Sequence, residues 1–326
     1  MLFALLIGLV AIGPACSDES TPGPRPAPSS TLKLATWNME WLIAPNVLRG
    51  LREHCAPDGS RIGGNDRRIP CDIAATYDRS TSDFRALARY AKQLNADVIA
   101  LQEVDAASAA ALVFPGYKFC FTGRRHVQNN GFAIRDGLPY RCEADLMSIS
   151  IGDSVRRGAQ MTLFPGDPRE IRLLSVHLKS GCNRDALNSG RKACREFSRQ
   201  VAPLETWIDS QARAGKRFAL LGDFNRNLLR DLGRPRSADG QSLQLWSEID
   251  DGDPPEADLV NAAQDQRFEN CSPLAHYSSY IDYIVLSRTL GRRVVPGSFG
   301  RVIYRVGDAR HMKLSDHCPV SVTIGY

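Results

Sequence analysis

The stretch 218–226 (FALLGDFNR) constrains this chain more than any other. An apolar run from Phe218 to Leu221 breaks at Gly222 into Asp223-Phe224-Asn225. A buried strand that ends this way delivers polar side chains to the rim of a sheet. On extended backbone side chains alternate with period two, so Asp223 and Asn225 are expected to point the same way. A strand closed by an Asx turn would show the same local pattern. Recurrence gives the pattern its weight, because other apolar strands end in, or carry, residues of the same kind.

The first is 31–42 (TLKLATWNMEWL), in which Leu32, Leu34 and Thr36 alternate with Lys33, Ala35 and Trp37 before Asn38 and Glu40. The second is 97–104 (DVIALQEV), a continuous apolar run with Glu103 at its end. A carboxylate there is costly unless it is paired or metal-bound. A third, 172–179 (RLLSVHLK), ends at His177 and Lys179, expected on one face. Asp282 opens the run 280–287 (YIDYIVLS), and Asp316-His317 precede the last strand, which runs to Ile324. Further strands are expected at 117–121, 131–135 and 146–151. Helical spacing predicts helices over 83–94 and 191–211, with a short one over 106–113. The segments 43–80 and 228–258 show little periodicity. We expect a long functional loop in the first and a polar surface excursion in the second.

Composition is ordinary for a globular domain, 43% hydrophobic and 24% charged, and the net charge of +5 fits an anionic substrate. The arginine pairs Arg67-Arg68, Arg124-Arg125 and Arg156-Arg157 could rim a phosphate site or simply be solvated. The N-terminus is apolar from Met1 to Val10, too short to span a bilayer, and Cys16 follows. This resembles a bacterial lipoprotein signal, with ordinary secretory cleavage as the other reading. Either way we expect an exported protein, periplasmic or outer-membrane bound through lipidated Cys16, or secreted. The expected division is an export segment at 1–16, a Pro/Ser-rich tether at 17–31 and one catalytic domain at 32–326. Eight cysteines remain after Cys16, an even number that favours disulfides in an exported chain. Neighbour pairing gives Cys55–Cys71, Cys120–Cys142, Cys182–Cys194 and Cys271–Cys318. No CxxC pair supports a zinc site.

Collected together, the strand-end groups are Asn38, Glu40, Glu103, His177, Asp223, Asn225, Asp282, Asp316 and His317. Acidic oxygen ligands without a Cys or His cage suit a hard cation, Mg2+ or Mn2+. Histidines beside them suit proton transfer near neutral pH. Together they describe metal-assisted attack of water on phosphorus. His276-Tyr277-Ser278-Ser279 lies just before the Asp282 strand and is a candidate wall of the site, whereas His54, His126 and His311 have no strand-end context.

The ordered motifs TWNMEW, LQEVD, SVHLKS, LLGDFN, YIDYIVLS and LSDHCPV resemble the endonuclease/exonuclease/phosphatase superfamily from about residue 32 to the C-terminus. The resemblance implies an α/β fold, a four-layer α/β/β/α sandwich of two mixed β-sheets flanked by helices. It implies Glu103 as principal metal ligand with Asn38, Glu40 and Asp316, and His317 as the general base oriented by Asp282 or Asp316. His177, Lys179 and Asn225 would hold the phosphate, with Asp223 and Asn225 placing the nucleophile. The expected activity is a divalent-metal phosphodiesterase acting as a nuclease on DNA, with RNA as an alternative substrate, in a monomer. A phosphomonoesterase, a sphingomyelinase-like enzyme and a non-catalytic binding protein are the other readings.

Overall fold

The computed structural model describes residues 30–62, 69–231, 244–272 and 274–326. The expected export segment, Cys16, nearly all of the tether and the Arg67-Arg68 pair lie outside the described residues. A compact unit runs from Thr31 to Tyr326.

Among the described residues, twelve strands form two six-stranded sheets. The first holds β1 (Thr31–Leu42), β2 (Val98–Val104), β3 (Tyr117–Phe121), β4 (Asn129–Arg135), β11 (Gly300–Arg301) and β12 (Val320–Gly325), in the order β11-β12-β1-β2-β4-β3. The second holds β5 (Tyr140–Cys142), β6 (Ala159–Leu163), β7 (Ile171–His177), β8 (Arg217–Asp223), β9 (Leu259–Asn261) and β10 (Asp282–Ser287), in the order β5-β6-β7-β8-β10-β9. Each sheet has one parallel pair at its centre, β1 with β2 and β7 with β8, and antiparallel neighbours around it. A parallel pair needs a crossover. The helix Thr81–Leu94 makes it for the first sheet and the helix Lys192–Arg213 for the second.

The period-two alternation of each strand sorts its side chains into layers. On β1, Leu32 and Leu34 face the second sheet, where they meet Met161, Leu173, Leu221 and Ile284. Ala35, Trp37 and Met39 face the helix 81–94 and its Phe84, Leu87 and Leu94. On β8, Ala219 and Leu221 face inward, while Phe218 and Leu220 face the helix 192–213 and its Phe197, Val201, Leu204, Trp207 and Ile208. Burying each such large side chain stabilises the fold by about 2 kcal/mol. The result is the four-layer sandwich of two mixed sheets. All four expected disulfides are formed.

Several local expectations need correction. Residues 146–151 are not a strand: Met147–Ser150 is a 3-10 turn, and only Leu146 bridges to Gly158. Two strands of the second sheet, β5 and β6, gave no clear periodic signal. The 43–80 segment carries helices at Pro45–Arg52 and Cys71–Thr76, which bury Leu48, Leu51 and Ala74 around the Cys55–Cys71 disulfide. In the 228–258 segment Leu228, Leu245, Trp246 and Ile249 join the core, so those residues are no surface excursion. Arg226 and Asp231, both buried, pair there at 3.0 Å.

Candidate active site

The inter-sheet layer changes character along its length. Toward the C-terminal ends of the parallel strands, Leu32 and Leu34 give way to Thr36 and Asn38 on the same face of β1. Leu173 gives way to Ser175 and His177 on β7, and Leu221 to Asp223 on β8. Beneath the rim a buried polar bridge crosses between sheets. Gln102 Nε2 donates to Ser175 Oγ at 3.1 Å, and Thr36 Oγ1 donates to Gln102 Oε1 at 3.2 Å. Satisfied in this way, polar groups fix the relative height of the two sheets at modest cost.

Register aligns the second sheet's contribution. His177 lies opposite Asp223 in the β7–β8 ladder, and Asp223 opposite Asp282 in the β8–β10 ladder. Gly222 permits the close approach, since a Cβ there would fall 1.9 Å from the Val176 carbonyl oxygen. His177 Nε2 is 3.3 Å from Asp223 Oδ2 and 3.8 Å from Glu103 Oε1.

The first sheet reaches the same point through distorted backbone. Glu40, Trp41 and Glu103 all take positive φ, and register shifts in the β1–β2 and β2–β4 pairs accompany them. Asn38 Nδ2 donates to Glu103 Oε1 at 3.3 Å and to Asp223 Oδ2 at 3.1 Å, joining the sheets. Glu103 Oε2 also accepts from Gln128 Nε2 at 2.7 Å and from the Trp41 amide at 3.3 Å.

His317 completes the cluster. Its Nδ1 lies 2.7 Å from Asp282 Oδ2, and its Nε2 lies 3.9 Å from Asp223 Oδ2. Its backbone is held on both sides. The His317 amide donates to Ser315 Oγ at 3.0 Å, while the hydroxyl of Ser315 donates to the Asn38 carbonyl at 2.7 Å. Trp37 Nε1 and the Tyr304 hydroxyl both donate to the His317 carbonyl. Buried Arg79 ties the same regions, donating to the carbonyls of Met39, Trp41, Lys313 and Leu314.

Electrostatics separate the two histidines. Burial pushes the His177 pKa well down, and the nearby charges of Arg156 and His317 add to this, so His177 is neutral. Burial also pulls on His317, but the charge and hydrogen bond of Asp282, with help from Asp223 and Asp316, lift its pKa well above the usual value. Burial raises Asp223, Asp282 raises it further, and His317 opposes both.

The expected residues do not all meet. Asn38, Glu103, His177, Asp223, Asp282 and His317 form one cluster. Glu40 and Asp316 form a second acidic pair at its mouth, where the Asp316 amide donates to Glu40 Oε2 at 2.8 Å. Asp316 lies 3.8 Å from His317 Nε2 with its side chain 45% exposed, so Asp282 is the partner that orients the ring. Asn225 does not share an extended face with Asp223. The strand stops at Asp223, Asn225 has φ of 49°, and its amide donates to Asp223 Oδ1 at 2.7 Å in an Asx turn. Its side chain still lines a cavity of about 350 Å³ with Asn183, Asp282 and His317. Segment 276–279 lines that cavity too. Lys179 lies beyond the end of β7 and turns its ammonium to the Ser180 carbonyl and, at 3.7 Å, to Glu196. Gln128, Arg79 and Ser315 carry no strand-end signal and were not expected, whereas Arg156 was expected only as half of a pair that could rim a phosphate site or be solvated. Its guanidinium feels the charges of Glu103 and Asp223, and its buried Nε has no partner.

Buried Asp223 and partly buried Glu103 face one another across an amide and a neutral imidazole. Such a pair of carboxylates is costly without a cation, and its oxygen donors suit a hard dication. Glu103 and Asp223 would hold it, while Asn38, expected as a further ligand, turns its Nδ2 to both carboxylates and its Oδ1 to the Glu40 amide at 3.0 Å; a bound dication would supply charge neutralisation and a polarised phosphate oxygen. Asp223, Asp282 and His317 also offer atoms within 4.8 Å of one another. There, however, Asp282 Oδ2 is engaged by His317 at 2.7 Å, an arrangement suited to handling a proton.

The Endonuclease/Exonuclease/phosphatase family model matches residues 35–317. No curated protein matches the chain. Among solved structures, the AP endonuclease LMAP from Leishmania major is 20% identical with a TM-score of 0.55, covering 92% of this chain and 89% of its own. Truncated TDP2 from Caenorhabditis elegans is 15% identical with a TM-score of 0.54, covering 91% and 98%. A variant of the 3' phosphatase NExo from Neisseria, bound to a product DNA hairpin, is 14% identical with a TM-score of 0.50, covering 90% and 100%. These likenesses concern the fold, whereas the family model spans the motifs from the first strand to His317. On that match the chain belongs to the Endonuclease/Exonuclease/phosphatase family of hydrolases.

Proposed function

We propose that the protein is an exported, divalent-metal-dependent phosphodiesterase that cleaves nucleic acid, DNA in the first place. The observation that carries this is the convergence of Asn38 and Glu103 from one sheet with His177, Asp223 and Asp282 from the other, beside His317. Asp282 fixes the His317 ring through Nδ1 and leaves Nε2 facing Asp223 and the cavity. A water placed between Nε2 and a phosphate would pass its proton to that nitrogen once His317 is neutral. Without a cation the surrounding carboxylates keep His317 protonated. A dication held by Glu103 and Asp223 would offset the Asp223 part of that attraction. Neutral His177 and Asn38 donate toward a phosphate oxygen, and Arg156 supplies the nearby positive charge. The metal is Mg2+ or Mn2+ on the oxygen-rich donor set. The apolar Met1–Val10 stretch and four disulfides support export, with lipidation at Cys16 as the proposed anchor.

Incubating the protein with plasmid DNA, RNA, sphingomyelin vesicles and a generic phosphomonoester, each with Mg2+ and with EDTA, tests the reading. Metal-dependent loss of supercoiled plasmid is the expected result. Hydrolysis of sphingomyelin or the monoester alone would replace it with one of the other activities.

A further inference from the structure

A second cavity of about 630 Å³ opens beside the catalytic one and shares His276, Tyr277 and Asp316 with it. Its floor is apolar, with Leu274, Ala309 and Met312, and its walls carry the phenols of Tyr77 and Tyr277. Its charge is set by Glu40 and Asp316, against Lys313, whose ammonium is turned to the Thr76 carbonyl at 3.3 Å. Tyr277 is 52% exposed, and its hydroxyl donates to Asp316 Oδ2 at 3.3 Å, which holds the ring at the boundary between the cavities.

Two carboxylates repel a phosphate, so this space does not take the sugar-phosphate backbone. They accept hydrogen bonds from exocyclic amines, and a tyrosine face stacks on any base. The volume exceeds what one planar ring needs. Resting on the nuclease reading above, we propose that this cavity receives the base of the nucleotide next to the scissile phosphate, turned out of any helix. Tyr277 supplies the exposed stacking surface, Tyr77, with the Arg79 guanidinium over its ring, closes the wall, and Glu40 and Asp316 meet the base edge. A paired base cannot enter, so the enzyme prefers single-stranded or frayed nucleic acid over intact duplex.

The test fills the cavity from its non-catalytic side with Leu274→Trp and, separately, Ala309→Trp. Leu274 is 42% exposed, which leaves the new ring room to enter without disturbing the core. Wild type and both variants are assayed on a labelled single-stranded oligonucleotide, the same sequence as blunt duplex, and bis(4-nitrophenyl) phosphate, which has no base. The expected result is single-strand cleavage about tenfold faster than duplex in wild type, and about a tenfold rise in KM for the single strand in each variant. Hydrolysis of bis(4-nitrophenyl) phosphate should be unchanged in both. Wild-type kinetics on the single strand in both variants, or equal cleavage of strand and duplex, would overturn the base-binding cavity and leave the nuclease reading intact. Hydrolysis of bis(4-nitrophenyl) phosphate without cleavage of either oligonucleotide would overturn the nuclease reading itself.

Discussion

The two sheets bring their share of the rim by different means. In the second sheet His177, Asp223 and Asp282 lie in register across three adjacent strands, and regular pairing alone sets them side by side. In the first sheet Asn38, Glu40 and Glu103 sit where β1 and β2 leave regular geometry, with positive φ at Glu40, Trp41 and Glu103. Such backbone costs about 1 kcal/mol or more per residue and persists where the surroundings over-determine it. Arg79 is the chief brace, linking four carbonyls from the β1 end and the turn before His317. One half of the site is therefore a property of the ladder, and the other half rests on side chains from elsewhere in the chain, Arg79 with Gln128 and Ser315.

The largest expected effect tests where the halves meet. His317→Ala should lower hydrolysis about a thousandfold while leaving the melting temperature within a few degrees of wild type, because the ring packs at the rim and not in the core. Turnover near wild type would detach the dyad with Asp282 from the chemistry. Next comes the brace. Arg79→Met leaves buried carbonyls without donors and should cost about 3 kcal/mol of stability, read by urea unfolding, with a parallel loss of activity. Ser175→Ala, in the ladder-built half, removes two buried hydrogen bonds, one accepted from Gln102 and one donated to the Leu101 carbonyl, and should cost about 1 to 2 kcal/mol. Equal costs for the two would erase the contrast between the sheets.

The pH dependence of the metal-free protein sharpens the difference between the two histidines. His317 has a raised pKa, so the stability it contributes is complete below its ordinary value and is lost as pH rises through the folded value. His177 has a depressed pKa, so its neutral burial costs stability as pH falls below the ordinary histidine value. Stability in EDTA should therefore decline on both sides of neutrality, by up to about 1.4 kcal/mol per pH unit for each group. His317→Asn should flatten the alkaline limb and His177→Asn the acidic one. An unchanged profile in either variant contradicts its assignment. The smallest effect is expected at Arg156, where Arg156→Gln should raise KM for an anionic oligonucleotide a few-fold and weaken its dependence on salt.

Much of the second sheet's half was legible in the sequence, because period-two alternation and an abrupt polar end are local signals. The runs ending at His177 and Asp223 and the run opening at Asp282 each appear as an apolar stretch bounded by a polar residue. The order of short motifs supplied the layers and the family. The same alternation misled at Asn225, since the rule holds only while the strand lasts and an Asx turn ends it at Asp223. It also placed Lys179 on the His177 face, although β7 stops two residues earlier. Arg79, Gln128 and Ser315 were invisible because their roles rest on contacts far along the chain, and no local spacing records a carbonyl 235 residues away. The choice between Asp282 and Asp316 as partner of His317 likewise needed a distance, because both precede or flank a strand in the same way.

The central claim is that oxygen groups from both sheets hold one hard dication beside His317. Titrating Mn2+ into wild type and Glu103→Gln, with bound ion read by electron paramagnetic resonance and folding by melting temperature, tests it directly. Saturable binding in wild type, and loss of at least about tenfold in affinity in Glu103→Gln with an unchanged fold, is the expected outcome. Equal Mn2+ affinity in the two proteins, or full hydrolysis by wild type in EDTA, would contradict it.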